Sequence, residues 1–223
     1  MKDLTIVFDL DGTLVDTAPD LVATLNHVLG DIGLAPIEGA AIRPHIGFGA
    51  RAMLKTCLDW ADEEAGDDRL DALMATYLAH YRDNIAVLSR PFPGAIETLE
   101  GFLSQGAKLA VCTNKYEKLS TRLLSELAVD HLFGAVTGAD TFEVRKPHPD
   151  HLTRTIVLAG GTSGRAIMVG DSETDIKTAK AADVPVIGVT FGYSDKPIAE
   201  LGADSVIDHY DELAEAIRRL EAG

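Results

Sequence analysis

Positive charge is in short supply in this sequence. Twenty Lys and Arg stand against thirty-five Asp and Glu, a formal net charge of −15. Such a surface cannot neutralise a run of phosphates, which argues against a nucleic-acid or anionic-membrane partner. A small anion held by a few cations in a cleft remains compatible with it. Long apolar runs are missing too, and no stretch approaches the roughly 20 residues that a membrane helix needs. The opening Met1-Lys2-Asp3 gives way at once to a strand pattern, so no signal peptide is expected. Cysteine is limited to Cys57 and Cys112. They fall in segments that read as different domains, so a structural disulfide is not expected and a reducing, cytoplasmic location fits. Cys112 lies in an apolar run and reads as a small buried hydrophobe. Internal repeats and low-complexity tracts are absent.

What the chain does have is 223 residues with 46% hydrophobic and 25% charged content, enough for one full domain or a domain with an insert. Its organising stretch comes early. Leu4-Thr5-Ile6-Val7-Phe8 is β-branched and aromatic, the pattern of a strand buried in a parallel sheet. Directly after it stand Asp9-Leu10-Asp11-Gly12-Thr13-Leu14-Val15-Asp16-Thr17. Taken alone, an Asp/Gly cluster is a polar turn. Two carboxylates this close repel each other, however, and usually need a cation or a shared proton.

From about residue 18 the apolar spacing becomes helical. Pro19 and Asp20 suit a first turn, with Asp16 or Thr17 as N-cap, and Leu21, Val22, Leu25, Val28, Leu29 and Ile32 mark one face. A short helical piece is expected over 38–43. Pro44 and two glycines make the stretch 43–49 a shaped loop rather than a helix. Helices carrying Met53–Trp60 and Leu70–Tyr81 follow, joined by an acidic connection. Residues 18–86 thus read as a small helical bundle, with their aromatic and Met positions as packing.

Pro91-Phe92-Pro93-Gly94 marks a return to alternating helices and strands. The strands are expected at 108–114, 135–137, 166–169, 184–189 and 205–207. This predicts an α/β fold: a doubly wound, mostly parallel, Rossmann-like sheet from residues 1–17 and 87–223, with the helical segment 18–86 inserted. Ligands in such sheets lie beyond the carboxyl ends of the strands. Asp9 and Asp11, Thr113 and Asn114, and Asp171 and Asp175 all fall there, with Lys146 in a separate loop. Carboxylates alone select a hard cation such as Mg²⁺. A lysine and a hydroxyl beside them suit phosphoryl transfer.

These residues resemble the haloacid dehalogenase superfamily. Asp9-Leu10-Asp11-Gly12-Thr13-Leu14-Val15 is similar to its first motif, Thr113 to its second, Lys146-Pro147 to its third and Gly170-Asp171-Ser172-Glu173-Thr174-Asp175 to its fourth. The resemblance spans essentially the whole chain, and the helical insert resembles that superfamily's cap. It implies that Asp9 is a nucleophile forming an aspartyl-phosphate, and that Asp11 is the acid for the leaving alcohol and then the base for water. It further implies Mg²⁺ held by Asp9, Asp171 and the backbone carbonyl of Asp11, with Asp175 orienting Lys146 or a metal-bound water. Thr113, the Asn114 backbone and Lys146 would grip the phosphoryl group. An acid at Asp11 tells against dehalogenation, and no cap lysine matches that of the phosphonate hydrolases.

Within the superfamily the chain most resembles phosphoglycolate phosphatases, through Asp16-Thr17-Ala18-Pro19-Asp20-Leu21, Ile46-Gly47-Phe48-Gly49 and Pro93-Gly94. Those cues are shared in part with phosphatases of sugar phosphates, pyrophosphate and nucleotide monophosphates and with β-phosphoglucomutases. Arg43 is the candidate for a substrate carboxylate, against a reading as a solvated helix-end arginine. A phospho-aspartate receiver module is the alternative of another class. It needs neither the acid at Asp11 nor a helical insert. His148-Pro149-Asp150-His151 reads as a surface helix start rather than a metal pair. The expected partner is a small phosphorylated metabolite, and the expected assembly a monomer or homodimer.

Overall fold

A computed structural model describes residues 1–222. The chain divides into two compact units: Met1–Asp16 together with the chain from Pro91 onward, and Thr17–Arg90.

In the first unit, β1 (Thr5–Phe8), β2 (Lys108–Cys112), β3 (Ala135–Thr137), β4 (Ala166–Gly170), β5 (Val186–Val189) and β6 (Ser205–Ile207) form one parallel sheet in the order β3-β2-β1-β4-β5-β6. The chain starts in the middle and winds outward in both directions, the arrangement that leaves a crevice where the order reverses. Register brings the strand ends level, with Phe8 opposite both Val111 and Val169. Residues that follow these ends therefore share one edge of the sheet. The alternation of strand side chains explains why the runs are apolar throughout. Helices α5 (Ala95–Ser104), α6 (Glu117–Glu126), α7 (Pro149–Leu158) and α8 (Glu173–Ala181) belong to this unit, and Val7, Ala110 and Met168 pack with Leu152 and Ile156 of α7 and Ile176 and Ala179 of α8. Their neighbours Ile6, Phe8, Leu109, Val111, Ile167 and Val169 are buried as well. Cys57 and Cys112 are both buried free thiols.

The second unit is helical: α1 (Ala18–Asp31), α2 (Gly39–Ile42), α3 (Ala50–Trp60) and α4 (Asp67–Asp83). Helix α1 begins after Thr17, whose side chain makes no cap, and ends at Ile32 with Gly33 at φ +77°. The expected loop over 43–49 is corrected: Arg43–Phe48 is a 3₁₀ helix. Proline is tolerated in a first helical turn, where its missing N–H has no partner to lose. Pro44 stands in that first turn and Gly49, at φ +88°, ends the element. A breaker in the sequence was here a starter.

Candidate active site

Asp9 extends β1 by one step, its N–H donating to Val169 O at 2.9 Å, and its carboxylate emerges at the strand end. One oxygen accepts from the Leu10 N–H at 2.7 Å and lies 2.9 Å from Lys146 Nζ. The backbone turns sharply after it. Gly12 adopts φ +82°, and a Cβ there would stand 2.5 Å from the Asp171 carboxylate, so only glycine fits.

Asp171, following β4, is held by the Thr13 hydroxyl at 3.0 Å and the Tyr193 N–H at 2.7 Å. Asp175 lies in the first turn of α8 and is fully buried. It closes a capping box with Ser172, accepting from the Ser172 N–H at 3.0 Å and hydroxyl at 2.5 Å. Its other oxygen takes Lys146 Nζ at 2.6 Å. A lysine in an isolated loop would normally be solvated, but Lys146 is 3% exposed. Two further bonds fix its backbone: its N–H donates to His151 Nδ1 at 3.1 Å, and its carbonyl accepts from Asn114 Nδ2 at 3.0 Å.

Among the described residues, one group of three or more could hold a metal: Asp9, Asp171 and Asp175 each offer an oxygen, all within 4.8 Å of one another. Their electrostatics reflect that crowding. Burial, with Asp175 and Asp9 adding repulsion, raises Asp171 to about 8. Burial also raises Asp9 to about 6, partly offset by Lys146. For Lys146, burial works against the charge, but Asp175 and Asp9 outweigh it and hold the ammonium above its ordinary range. Burial and the neighbouring Lys146 push His151 down to about 4, so its ring is neutral.

The Asp11 carboxylate stands apart from this group. Lys115 Nζ reaches both of its oxygens, at 2.9 and 3.0 Å. Thr113 Oγ1 accepts from the Lys115 N–H at 3.2 Å, which ties the end of β2 to the next turn. Arg43 lies in the helical unit at the head of the 3₁₀ helix. His148 caps α7, accepting from the Asp150 N–H at 3.2 Å, whereas His151 is buried rather than on the surface.

Sequence reasoning missed Lys115, Thr13, Tyr193 and the supporting role of His151. Lys115 adjoins Asn114 and could have been noticed on that ground. Tyr193 acts through its backbone, which no side-chain pattern signals.

Residues 6–189 match the haloacid dehalogenase-like hydrolase family. The chain belongs to that family. The resemblance read from the four motifs, and the expected α/β fold, agree with this match. Phosphoglycolate phosphatase of Mesorhizobium japonicum is 48% identical over 218 residues, 96% of each chain. Phosphoglycolate phosphatase of Caulobacter vibrioides is 43% identical over 216 residues, 97% of this chain and 91% of that one. A crystal structure of a predicted phosphoglycolate phosphatase from Haemophilus somnus 129PT is similar at a TM-score of 0.89 and 33% identity, covering 97% of this chain and 98% of that one. This haloacid dehalogenase-like protein is a hydrolase of phosphoric monoesters, with an acidic cluster at its strand ends. Among its described residues no helix is long and apolar enough to cross a membrane.

Proposed function

We propose that the enzyme hydrolyses 2-phosphoglycolate to glycolate and phosphate, with Mg²⁺ and through an aspartyl-phosphate on Asp9. The observation that carries this reading is the placement of Asp9 between a buried lysine and two further buried carboxylates, 2.9 Å from Lys146 Nζ. The donor set fits a hard divalent cation. It is all oxygen, and three carboxylates lie within 4.8 Å of one another with a single lysine between two of them. Asp9, Asp171 and the Asp11 carbonyl would hold the ion, with Asp175 beside them. Such an ion neutralises charge on the phosphoryl oxygens as transfer proceeds.

The chain's own groups do the rest. An Asp9 oxygen attacks phosphorus, and the P–O bond to the leaving alkoxide breaks. Asp11 gives that alkoxide its proton, so glycolate departs as the alcohol. Asp11, now ionised, takes a proton from the water that attacks the phosphoryl group, and Asp9 is released as carboxylate. Lys146 neutralises Asp9 and Asp175 and steadies the transferring oxygens, with Thr113 and the Asn114 backbone. A nucleophile near 6 is mostly ionised at neutral pH. Substrate choice is assigned to the helical unit, where Arg43 offers a fork suited to a carboxylate.

The test is phosphate release across a panel of phosphomonoesters with added Mg²⁺, ranked by kcat/KM. We expect 2-phosphoglycolate to lead and excess chelator to abolish turnover. Full activity in chelator would overturn the metal assignment, and a sugar phosphate at the head of the ranking would overturn the substrate.

A further inference from the structure

Lys146 Nζ has to stand 2.9 Å from an Asp9 oxygen and 2.6 Å from Asp175 at the same time. A lysine stem is flexible, so where its ammonium comes to rest depends on where its backbone is anchored. That backbone lies in the loop between β3 and α7, outside the ladder of the sheet. No strand neighbour can hold it there. Its N–H donates instead to His151 Nδ1 at 3.1 Å, and its carbonyl accepts from Asn114 Nδ2 at 3.0 Å. Both anchors are side chains, and they come from different elements: Asn114 follows β2, and His151 stands in the first turn of α7.

His151 is itself fixed in place. It is fully buried, and its ring meets that of Phe142 edge-on, with centroids 5.8 Å apart and planes at 85°. Its carbonyl accepts from the Thr155 hydroxyl at 2.6 Å. The Thr155 oxygen also stands 2.6 Å from the Thr137 hydroxyl at the end of β3. Thr155 has spent its one proton on the carbonyl, so Thr137 donates. The line from Thr137 through Thr155 and His151 thus refers the Lys146 backbone to a strand end. The ring holds a single protonation state as well. Burial and the charge of Lys146 keep it neutral down to about 4, so Nδ1 offers a lone pair and the ring proton sits on Nε2. If packing were its whole task, a hydrocarbon would fill this space without the cost of burying a polar ring. What the imidazole adds is an acceptor for a buried N–H.

We propose that His151 is a positioning residue: its Nδ1, through the Lys146 N–H, sets the reach of Lys146 Nζ to Asp9 and Asp175 and so speeds phosphoryl transfer. This rests on the reading of Lys146 as the cation that neutralises the nucleophile. His151 acts through Lys146 and contacts no reacting atom.

The experiment measures kcat and KM with Mg²⁺ on p-nitrophenyl phosphate, which keeps it independent of the assigned substrate. The proteins are the wild type, His151→Phe, His151→Asn, Lys146→Met, and Lys146→Met combined with His151→Phe. His151→Phe keeps a ring and removes the acceptor. His151→Asn keeps an acceptor two bonds from Cβ, as Nδ1 is. Urea unfolding checks that each variant is folded, and His151→Leu replaces His151→Phe should the latter fail to fold. We expect His151→Phe to lose about 10-fold to 100-fold in kcat, with KM changed by less than about 3-fold. His151→Asn should recover most of that loss even if it is the less stable protein, which separates positioning from packing. In the Lys146→Met background His151→Phe should cost nothing further, because the lysine it directs is gone. Unchanged kcat in a folded His151→Phe variant would overturn the proposal. A loss carried undiminished into the Lys146→Met background would overturn it too, since His151 would then act by another route. Full activity in Lys146→Met would remove the reading of Lys146 itself, and that failure is visible in the single variant.

Discussion

Each unit buries carboxylates, and it does so in opposite ways. In the helical unit Asp20 is 2% exposed, and its oxygens accept from the Leu88 N–H at 3.0 Å, the Ser89 N–H at 2.7 Å and the Ser89 hydroxyl at 2.6 Å. Donors saturate it, and it ties the end of that unit to its first helix. In the α/β unit Asp9, Asp171 and Asp175 share Lys146, Ser172, Thr13 and two further backbone donors, and two of the three are pushed upward. A carboxylate whose lone pairs are filled by neutral donors is structural. One crowded by its own kind is held in readiness for a positive ligand.

The comparison breaks most visibly at Asp9. Asp9→Asn should lower kcat by about 10⁴-fold or more, since an amide is a far poorer nucleophile. The fold should survive, because the change removes a carboxylate that burial and its acidic neighbours disfavour; thermal unfolding should show an unchanged or higher Tm. Appreciable turnover in this variant would refute the nucleophile. Asp20→Ala should do the reverse. It leaves the Ser89 N–H and hydroxyl without their acceptor, and urea unfolding should report a loss of about 2–4 kcal/mol. A neutral effect would mean that water replaces the carboxylate. Arg43→Ala bears on the helical unit's assigned role in substrate choice. It should cost about 30-fold in kcat/KM on 2-phosphoglycolate and leave p-nitrophenyl phosphate nearly untouched, through loss of a charged hydrogen bond. A uniform loss on both would make Arg43 a structural residue.

How much of this was legible in advance depends on how local the cause is. The six strands follow from apolar runs, and α1, α3 and α4 from spacing, because burial selects those residues one element at a time. Four motif segments told where to look, since three of them directly follow a strand and the other, Lys146-Pro147, leads into α7. Arg43–Phe48 was misread because proline and glycine end helices more often than they start 3₁₀ turns. Lys115 and Lys146 show a different limit. A lysine in a loop carries no mark of its burial, and what buries it arrives from residues 11, 175 and 9, far along the chain. His151 looked like half of a surface pair, yet its ring accepts from the Lys146 backbone in the interior. Partners of that kind are set by the sheet order and cannot be read from neighbours in sequence.

The smallest expected effect is also the most direct probe of the crowded cluster. Asp171 titrates near 8 in the folded chain, against an ordinary value of 3.8. Between those values the folded state binds the extra proton, so the stabilising share of this group is complete below 3.8 and is lost as pH rises through 8. Asp9, raised to about 6, adds to the same slope over the lower part of that window. A divalent cation needs these groups as carboxylates, so it must displace a proton at pH 6 and has none to displace from Asp171 well above 8. Mg²⁺ should therefore raise Tm at both pH values, and by more at pH 9 than at pH 6. The difference should be on the order of 1–2 kcal/mol, or a few degrees for a chain of this size. Differential scanning calorimetry with and without Mg²⁺ at the two pH values measures it. Asp171→Asn should flatten the metal-free slope and remove most of the Mg²⁺ effect. Stabilisation equal at both pH values, or larger at pH 6, would mean that the ion binds elsewhere than among Asp9, Asp171 and Asp175.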